Sequence, residues 1–182
     1  MLILTGKTCS GKDTIKKELI KLGLKPVTTY TTRPMRDGEV DGKSYHFITK
    51  DDFIEKAKDG FFAECTYYSV ANGDTWYYGS RKEDYSDDGV MILNPGGVKD
   101  LLYIQRLEPL IVYIDATDET ISKRLISRGD NPDEAKRRIQ ADCIDFLTIN
   151  KMCDMFISND GEFTPEEIAT EIYNIYEALK GK

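Results

Sequence analysis

The chain has 182 residues, 25 basic and 32 acidic side chains, a net charge of −7 and 40% hydrophobic residues. That is enough apolar material for one domain with its own core, and a field that excludes general nucleic-acid or acidic-membrane binding, so a polyanion must be met by a local basic cluster. The apolar runs fall far short of the ~20 residues needed to span a bilayer, and Met1 opens at once on a strand pattern without a basic leader, which predicts a cytoplasmic protein.

The apolar run Met1-Leu2-Ile3-Leu4 predicts a buried strand, and Ile15, Leu19 and Leu22 predict the inner face of a helix. Between them stands Gly6-Lys7-Thr8-Cys9-Ser10-Gly11-Lys12-Asp13-Thr14. A glycine-rich turn from strand to helix aims several backbone N–H groups and a positive helix end at one point, where a nucleotide phosphate fits; Lys12 adds a full charge. The spacing Gly, four residues, Gly-Lys is that of a phosphate-binding loop, with Asp13 where a magnesium-binding Ser or Thr normally follows and Thr14 as the nearest hydroxyl. Val27 to Tyr30 reads as a short β-branched strand. In the irregular segment that follows, Arg33 and Arg36 flank Pro34 and Met35; they either clamp a phosphate dianion from two sides or form a solvated basic loop. Lys43 to Ile48 alternates as a strand with Tyr45 and Phe47 on one face, and Tyr45 has a hydroxyl to offer a phosphate or a ring to pack.

Asp51 to Lys58 predicts a short helix with Thr49 or Asp51 as cap, Phe53, Ile54 and Ala57 inward, and Gly60 as its end. Glu64 lies in the strand pattern Phe61 to Thr66, and an acid in an apolar strand needs a partner. Asn72-Gly73, flanked by Val70-Ala71 and Thr75-Trp76-Tyr77, predicts a two-residue hairpin. Val90 to Asn94 is the next strand, Val98 to Leu107 a helix, Leu110 to Asp115 a near-continuous apolar strand, and Asp118 onward a helix with Ile121, Leu125 and Ile126 inward and Lys123 and Arg124 outside. Asn131-Pro132 caps a further helix, Asp154 to Ser158 is the last strand, and Thr164-Pro165-Glu166-Glu167 is a capping box for a closing helix striped by Ile168, Ile172, Ile175 and Leu179. His46 is the only histidine, which excludes a histidine metal cluster, and no two of Cys9, Cys65, Cys143 and Cys153 form a Cys-x-x-Cys pair. The alternation of strand and helix predicts an α/β doubly wound parallel sheet with ligands at the strand C-termini.

The segment Thr31-Thr32-Arg33-Pro34-Met35-Arg36-Asp37-Gly38-Glu39-Val40-Asp41-Gly42-Lys43-Ser44-Tyr45-His46-Phe47 resembles the signature of guanylate kinases, and the likeness runs from the phosphate loop to the final helix. The resemblance implies a P-loop core (1–30 and 88–182), an inserted monophosphate-binding lobe (31–87) and a lid near 128–136. It implies ATP with Mg2+ on the loop Gly6 to Thr14, with Asn159 near the adenine. Arg33, Arg36, Tyr45 and Tyr78 would hold the acceptor phosphate, and Thr29, Glu64 and Ser80 would face guanine, with Glu64 as the main reader. Lys12, Arg128 and Arg138 would neutralise charge during transfer, Arg137 standing beside the last. Two departures stand out. The stretch Tyr68 to Trp76 is longer than the family predicts, and Ile92 and Asn94 occupy positions that the family fills with acids, which leaves magnesium to the ATP phosphates with Asp13 acting through water. The activity implied is phosphoryl transfer from ATP to GMP; a kinase of dGMP or another monophosphate, and a non-catalytic binding module of the same fold, are the alternatives. Asn150-Lys151-Met152-Cys153-Asp154 has one residue too many for the guanine motif of switch GTPases.

Overall fold

The computed structural model describes residues 1–70, 73–104 and 107–180, and divides into two compact units, Met1–Pro26 with Asp87–Pro95 and Glu108–Lys182, and Val27–Ser86 with Gly96–Leu107. The first holds a five-stranded parallel sheet in the order β2-β7-β1-β8-β9, built from β1 (Leu2–Thr5), β2 (Lys25–Pro26), β7 (Gly89–Ile92), β8 (Leu110–Asp115) and β9 (Met155–Ser158). Register runs Leu2 to Val90 on one side of β1 and Leu2 to Leu110 on the other. Leu2, Leu4, Val112 and Ile114 point to one face, where they bury Ile15 and Leu19 of α1 (Lys12–Lys21) and Ile168, Ile172 and Tyr176 of α6 (Pro165–Lys180). Ile3, Met91 and Ile111 alternate to the opposite face and are buried as well, as strands covered on both sides require. A smaller cluster joins Ala116, Ile121 and Leu125 of α4 (Asp118–Ser127) to Ala135 and Ile139 of α5 (Pro132–Asp145).

The second unit holds a four-stranded mixed sheet in the order β4-β3-β6-β5: β3 (Tyr30–Thr31), β4 (His46–Phe47), β5 (Glu64–Ser69) and β6 (Thr75–Ser80), with α2 (Lys50–Lys58) carrying Phe53 inward. An aromatic network fills it, with Phe53 stacked on Phe62 at 4.4 Å and His46 on Tyr30 at 4.6 Å. His46 is thus a packed strand residue. Thr49 caps α2 by accepting from the Asp52 N–H, and the Thr164–Glu167 capping box forms in both directions.

Several expectations are corrected. No strand spans Val27 to Tyr30: Lys25–Pro26 pairs with β7, whereas Tyr30–Thr31 pairs with β4 and β6, and the chain passes from one sheet to the other between them. The helix expected at Val98 to Leu107 is α3 (Pro95–Leu102), which starts earlier because a proline suits the first helical turn. Leu22 caps α1 rather than packing under it, and Ala57 is exposed. Ile126 is 77% exposed, since it lies ~100° round α4 from Leu125. In α6 the buried face is Ile168, Ala169, Ile172 and Tyr176, while Ile175 and Leu179 are exposed; the face turns toward Tyr176 because its hydroxyl donates to the Asp87 carbonyl. The hairpin forms, but its loop is longer than two residues: Val70 N–H donates to the Asp74 carbonyl and Gly73, in the left-handed region, donates to Val70. Asn72 and Ala71 lie outside the described residues. All four cysteines are unpaired, and among the described residues no helix is long and apolar enough to cross a membrane.

Candidate active site

In the first unit β1 ends at Thr5 and the chain turns through Gly6 to Gly11 into α1. Close packing dictates both glycines. A Cβ on Gly6 would lie 2.3 Å from the Ile114 carbonyl oxygen, and one on Gly11, where φ is +100°, would lie 2.2 Å from Asn159 Nδ2. Gly11 is the N-cap of α1 and brings no side-chain acceptor, so the helix start keeps donors for an anion. Lys12 folds back over the loop, its Nζ donating to the carbonyls of Gly6 (2.8 Å) and Lys7 (2.7 Å) and reaching Ser10 Oγ at 3.3 Å. Burial lowers its pKa, against the pull of Asp13 and Asp142.

The loop is braced from three sides. Asn159, buried at the end of β9, donates its amide to the Ser10 carbonyl at 2.7 Å, which gives that side chain to holding the loop. Arg124 donates to the carbonyls of Cys9 (3.1 Å) and Asn159 (2.7 Å). The expectation that Arg124 points outward is corrected: it is half-buried against the loop. It lies four residues before Arg128, one turn away on the same face. From α5, Asp142 accepts from the Thr8 N–H at 2.5 Å, a contact with no local sequence sign. Lys7 pairs with Asp118 at 3.1 Å. Asp13 and Thr14 are exposed at the helix start.

Arg128 forms a two-pronged pair with Asp130 (2.5 and 2.9 Å), and Arg138 lies 3.5 Å from the same carboxylate. Asp130 therefore gathers both arginines that the sequence set near the lid. A cleft of about 470 Å³ lies on this side, with Cys9, Lys12, Asp13, Arg124, Arg128 and Asn159 among its lining residues. Among the described residues no group of three or more His, Cys, Asp or Glu side chains is placed to hold a metal ion. Asn94 stands just beyond β7 and adds no negative charge.

In the second unit Arg33 is only 4% exposed. Its guanidinium grips Glu39 with two bonds (3.0 and 2.7 Å) and donates a third to the Pro34 carbonyl at 2.8 Å. Tyr45 and Phe47 lie under it at 5.3 and 5.7 Å, and Tyr78 meets Tyr45 edge-on at 6.1 Å. Burial is the largest single influence and opposes the Arg33 charge, but Glu39, Tyr78 and Tyr45 together outweigh it and the pKa is raised; Glu39 is lowered because Arg33 and the Arg36 N–H together outweigh its own burial. Glu39 also accepts from the Arg36 N–H at 2.7 Å, so it sets the turn that carries both arginines. Arg36 itself is exposed. Thr29 is half-buried and its carbonyl accepts from the His46 N–H.

Glu64 is 3% exposed at the start of β5. Its partner is Ser80, opposite it in the antiparallel register, whose hydroxyl donates to Oε1 at 2.6 Å; Oε2 is buried without a hydrogen-bond partner. Burial pushes the carboxyl up to about 7, the Ser80 bond working the other way and Asp100 adding to the rise. Tyr85, which the sequence did not single out, lies 2.7 Å from Ser80 Oγ.

The family model described as guanylate kinase matches residues 1–175. The guanylate kinase of Wolinella succinogenes is 32% identical over 144 residues, covering 74% of this chain and 64% of that protein, just under two thirds of its length. That of Sulfurimonas denitrificans is 31% identical over 171 residues, covering 88% and 80%. The crystal structure of guanylate kinase from Anaplasma phagocytophilum matches with a TM-score of 0.70 over 100% of this chain and 87% of that one; at 22% identity this likeness speaks for the fold. A doubly wound core with a phosphate loop after its first strand, a family match along nearly the whole chain and these relatives agree, and the chain belongs to the guanylate kinase family.

Proposed function

We propose that the protein transfers the terminal phosphoryl group of ATP to GMP, in the cytoplasm. The observation that carries the choice of base is Glu64: a buried carboxylate with one oxygen on Ser80 and the other unpartnered calls for a ligand that brings N–H donors. The N–H edge of guanine supplies them, and an adenine or pyrimidine acceptor does not present that pair. dGMP shares the edge, so the same site accepts it.

In this reading residues 1–30 and 88–182 form the core, 31–87 the monophosphate-binding lobe, and 128–136 the lid. ATP takes the loop Gly6 to Thr14, with the Lys12 amine moving from the Gly6 and Lys7 carbonyls onto phosphate oxygens. Arg33, set by Glu39, joins Arg36, Tyr45 and Tyr78 on the acceptor phosphate, while Thr29 and Ser80 assist Glu64 with the base. Asn94 hydrogen-bonds the acceptor without adding charge. Arg128 and Arg138, gathered by Asp130, spread their charge over the transferring group. Mg2+, when bound with ATP, neutralises phosphate charge; Asp13 through water and Thr14 are the nearby oxygen donors. No covalent intermediate is needed, because phosphoryl transfer rests on positioning and on charge stabilisation in a site closed to water.

The test is ADP release with each nucleoside monophosphate offered in turn. GMP and dGMP are expected to turn over and AMP, CMP and UMP to be poor. Preference for a pyrimidine or AMP would remove the role given to Glu64, and no turnover with any acceptor would favour a binding module.

A further inference from the structure

The Glu64–Ser80 pair continues into a third group that lies outside the roles above. Ser80 Oγ donates its only proton to Glu64 Oε1 at 2.6 Å, so in its 2.7 Å contact with Tyr85 Oη the serine must accept and the tyrosine donate. The result is a directed chain, from the Tyr85 hydroxyl to the Ser80 hydroxyl to the carboxylate. Without Tyr85 the Ser80 hydroxyl is free to rotate about Cβ–Oγ and to offer its lone pair or its proton elsewhere. With it, the proton is held on Oε1 and only Oε2 is left to the ligand.

The tyrosine is itself firmly placed. It follows a single 3-10 turn, Lys82–Asp84, and its N–H closes that turn on the Lys82 carbonyl. Arg81 locks the turn with two bonds to Asp84 (2.9 and 2.5 Å), and its guanidinium rests on the rings of Phe61 (5.1 Å) and Tyr30 (5.9 Å). An ion pair on an aromatic platform thus sets the position of one hydroxyl, half-buried between the turn and β6.

We infer that Tyr85 is a positioning residue for recognition of the acceptor base, holding Ser80 as a donor to Glu64 so that a single carboxylate oxygen of fixed orientation meets the base N–H edge. The inference rests on the reading of Glu64 as the base-reading group. Around the carboxylate stand Ser80 from β6, Tyr85 behind it with Asp84 paired to Arg81, the neutral Cys65 thiol beside it on β5, and Asp100 of α3, whose charge opposes ionisation. Ser80 favours the ionised form, which is the form that accepts from a base, its hydroxyl more strongly than its backbone, and the relay acts on the hydroxyl. Loss of the Tyr85 hydroxyl therefore makes Glu64 harder to ionise.

The experiment is steady-state kinetics on wild type, Tyr85→Phe, Ser80→Ala, the double variant and Glu64→Gln, with GMP and ATP varied in turn from about pH 6 to about pH 9. Tyr85→Phe keeps the ring, and a thermal melt checks that the fold is retained. It is expected to raise KM for GMP about three- to tenfold, the worth of one neutral hydrogen bond. KM for ATP and kcat at saturating GMP stay unchanged, and the acid limb of kcat/KM for GMP moves to higher pH. Because the tyrosine acts through the serine, the double variant is no worse than Ser80→Ala alone. An unchanged GMP KM and acid limb in Tyr85→Phe, or additive losses in the double variant, overturn the inference while an impaired Glu64→Gln leaves the site reading standing. A Glu64→Gln enzyme with wild-type GMP KM overturns the site reading itself.

Discussion

Glu64 shows at the scale of one side chain how the recognition proposed for it is set against stability. The folded protein holds its proton up to about 7, whereas the unfolded chain releases it in the ordinary carboxylate range. The unfolded state therefore gains by ionising first, and stability falls as pH rises from that range to about 7. Glu64→Gln removes the buried charge. It is expected to be more stable than wild type by about 3 kcal/mol at pH 8 and by less than about 1 kcal/mol at pH 5, as denaturant titrations at both pH values would read. The same change is expected to weaken GMP by about 10- to 100-fold and to leave ATP unaffected, because only the acceptor loses a charged hydrogen-bond partner. Equal losses for both nucleotides would show a general disturbance instead. That an acid in an apolar strand needs a partner was legible in the sequence. That the partner is Ser80 was not, since the pairing comes from the antiparallel register of two strands that the local pattern does not specify.

Among the elements, α5 carries opposed charges one turn apart, Arg138 and Asp142. Asp142 accepts from the Thr8 N–H, a group that the phosphate-loop reading gives to ATP, and burial raises its carboxyl pKa even though the Thr8 bond and Lys12 draw it down. In the proposed reading a triphosphate displaces this carboxylate. Asp142→Ala is therefore expected to tighten ATP binding about three- to tenfold in calorimetric titration, with GMP binding unchanged; weaker ATP binding would show that the contact supports the loop rather than competing for it. Elements differ in how plainly the sequence announced them. The phosphate loop, the strand Leu110–Asp115 and the Thr164–Glu167 box were legible because each is fixed by neighbours a few residues away. The inner faces of α4 and α6 were read one position off at Ile126 and Ile175. There the choice between adjacent apolar residues depends on what lies across the interface, such as the Asp87 carbonyl that receives Tyr176. Arg124 was missed for the same reason: an arginine on an amphipathic helix looks solvated until two carbonyls of other segments are found beside it.

Across the whole molecule the residues proposed for the donor belong to one compact unit and most of those proposed for the acceptor to the other, each pre-set by its own internal bonds: Lys12 and Arg124 on the loop carbonyls, Arg33 on Glu39, Glu64 on Ser80. In the proposed reaction, ligands replace some of these bonds, so the charges exist before either nucleotide arrives and little reorganisation is left for the transfer itself. Following the label from γ-32P-ATP in the presence of Mg2+ and GMP tests that claim most directly. The account predicts that the label appears in GDP with wild type and that no labelled GDP forms with Lys12→Ala. Label released as inorganic phosphate, or labelled GDP formed as fast by Lys12→Ala as by wild type, would contradict it.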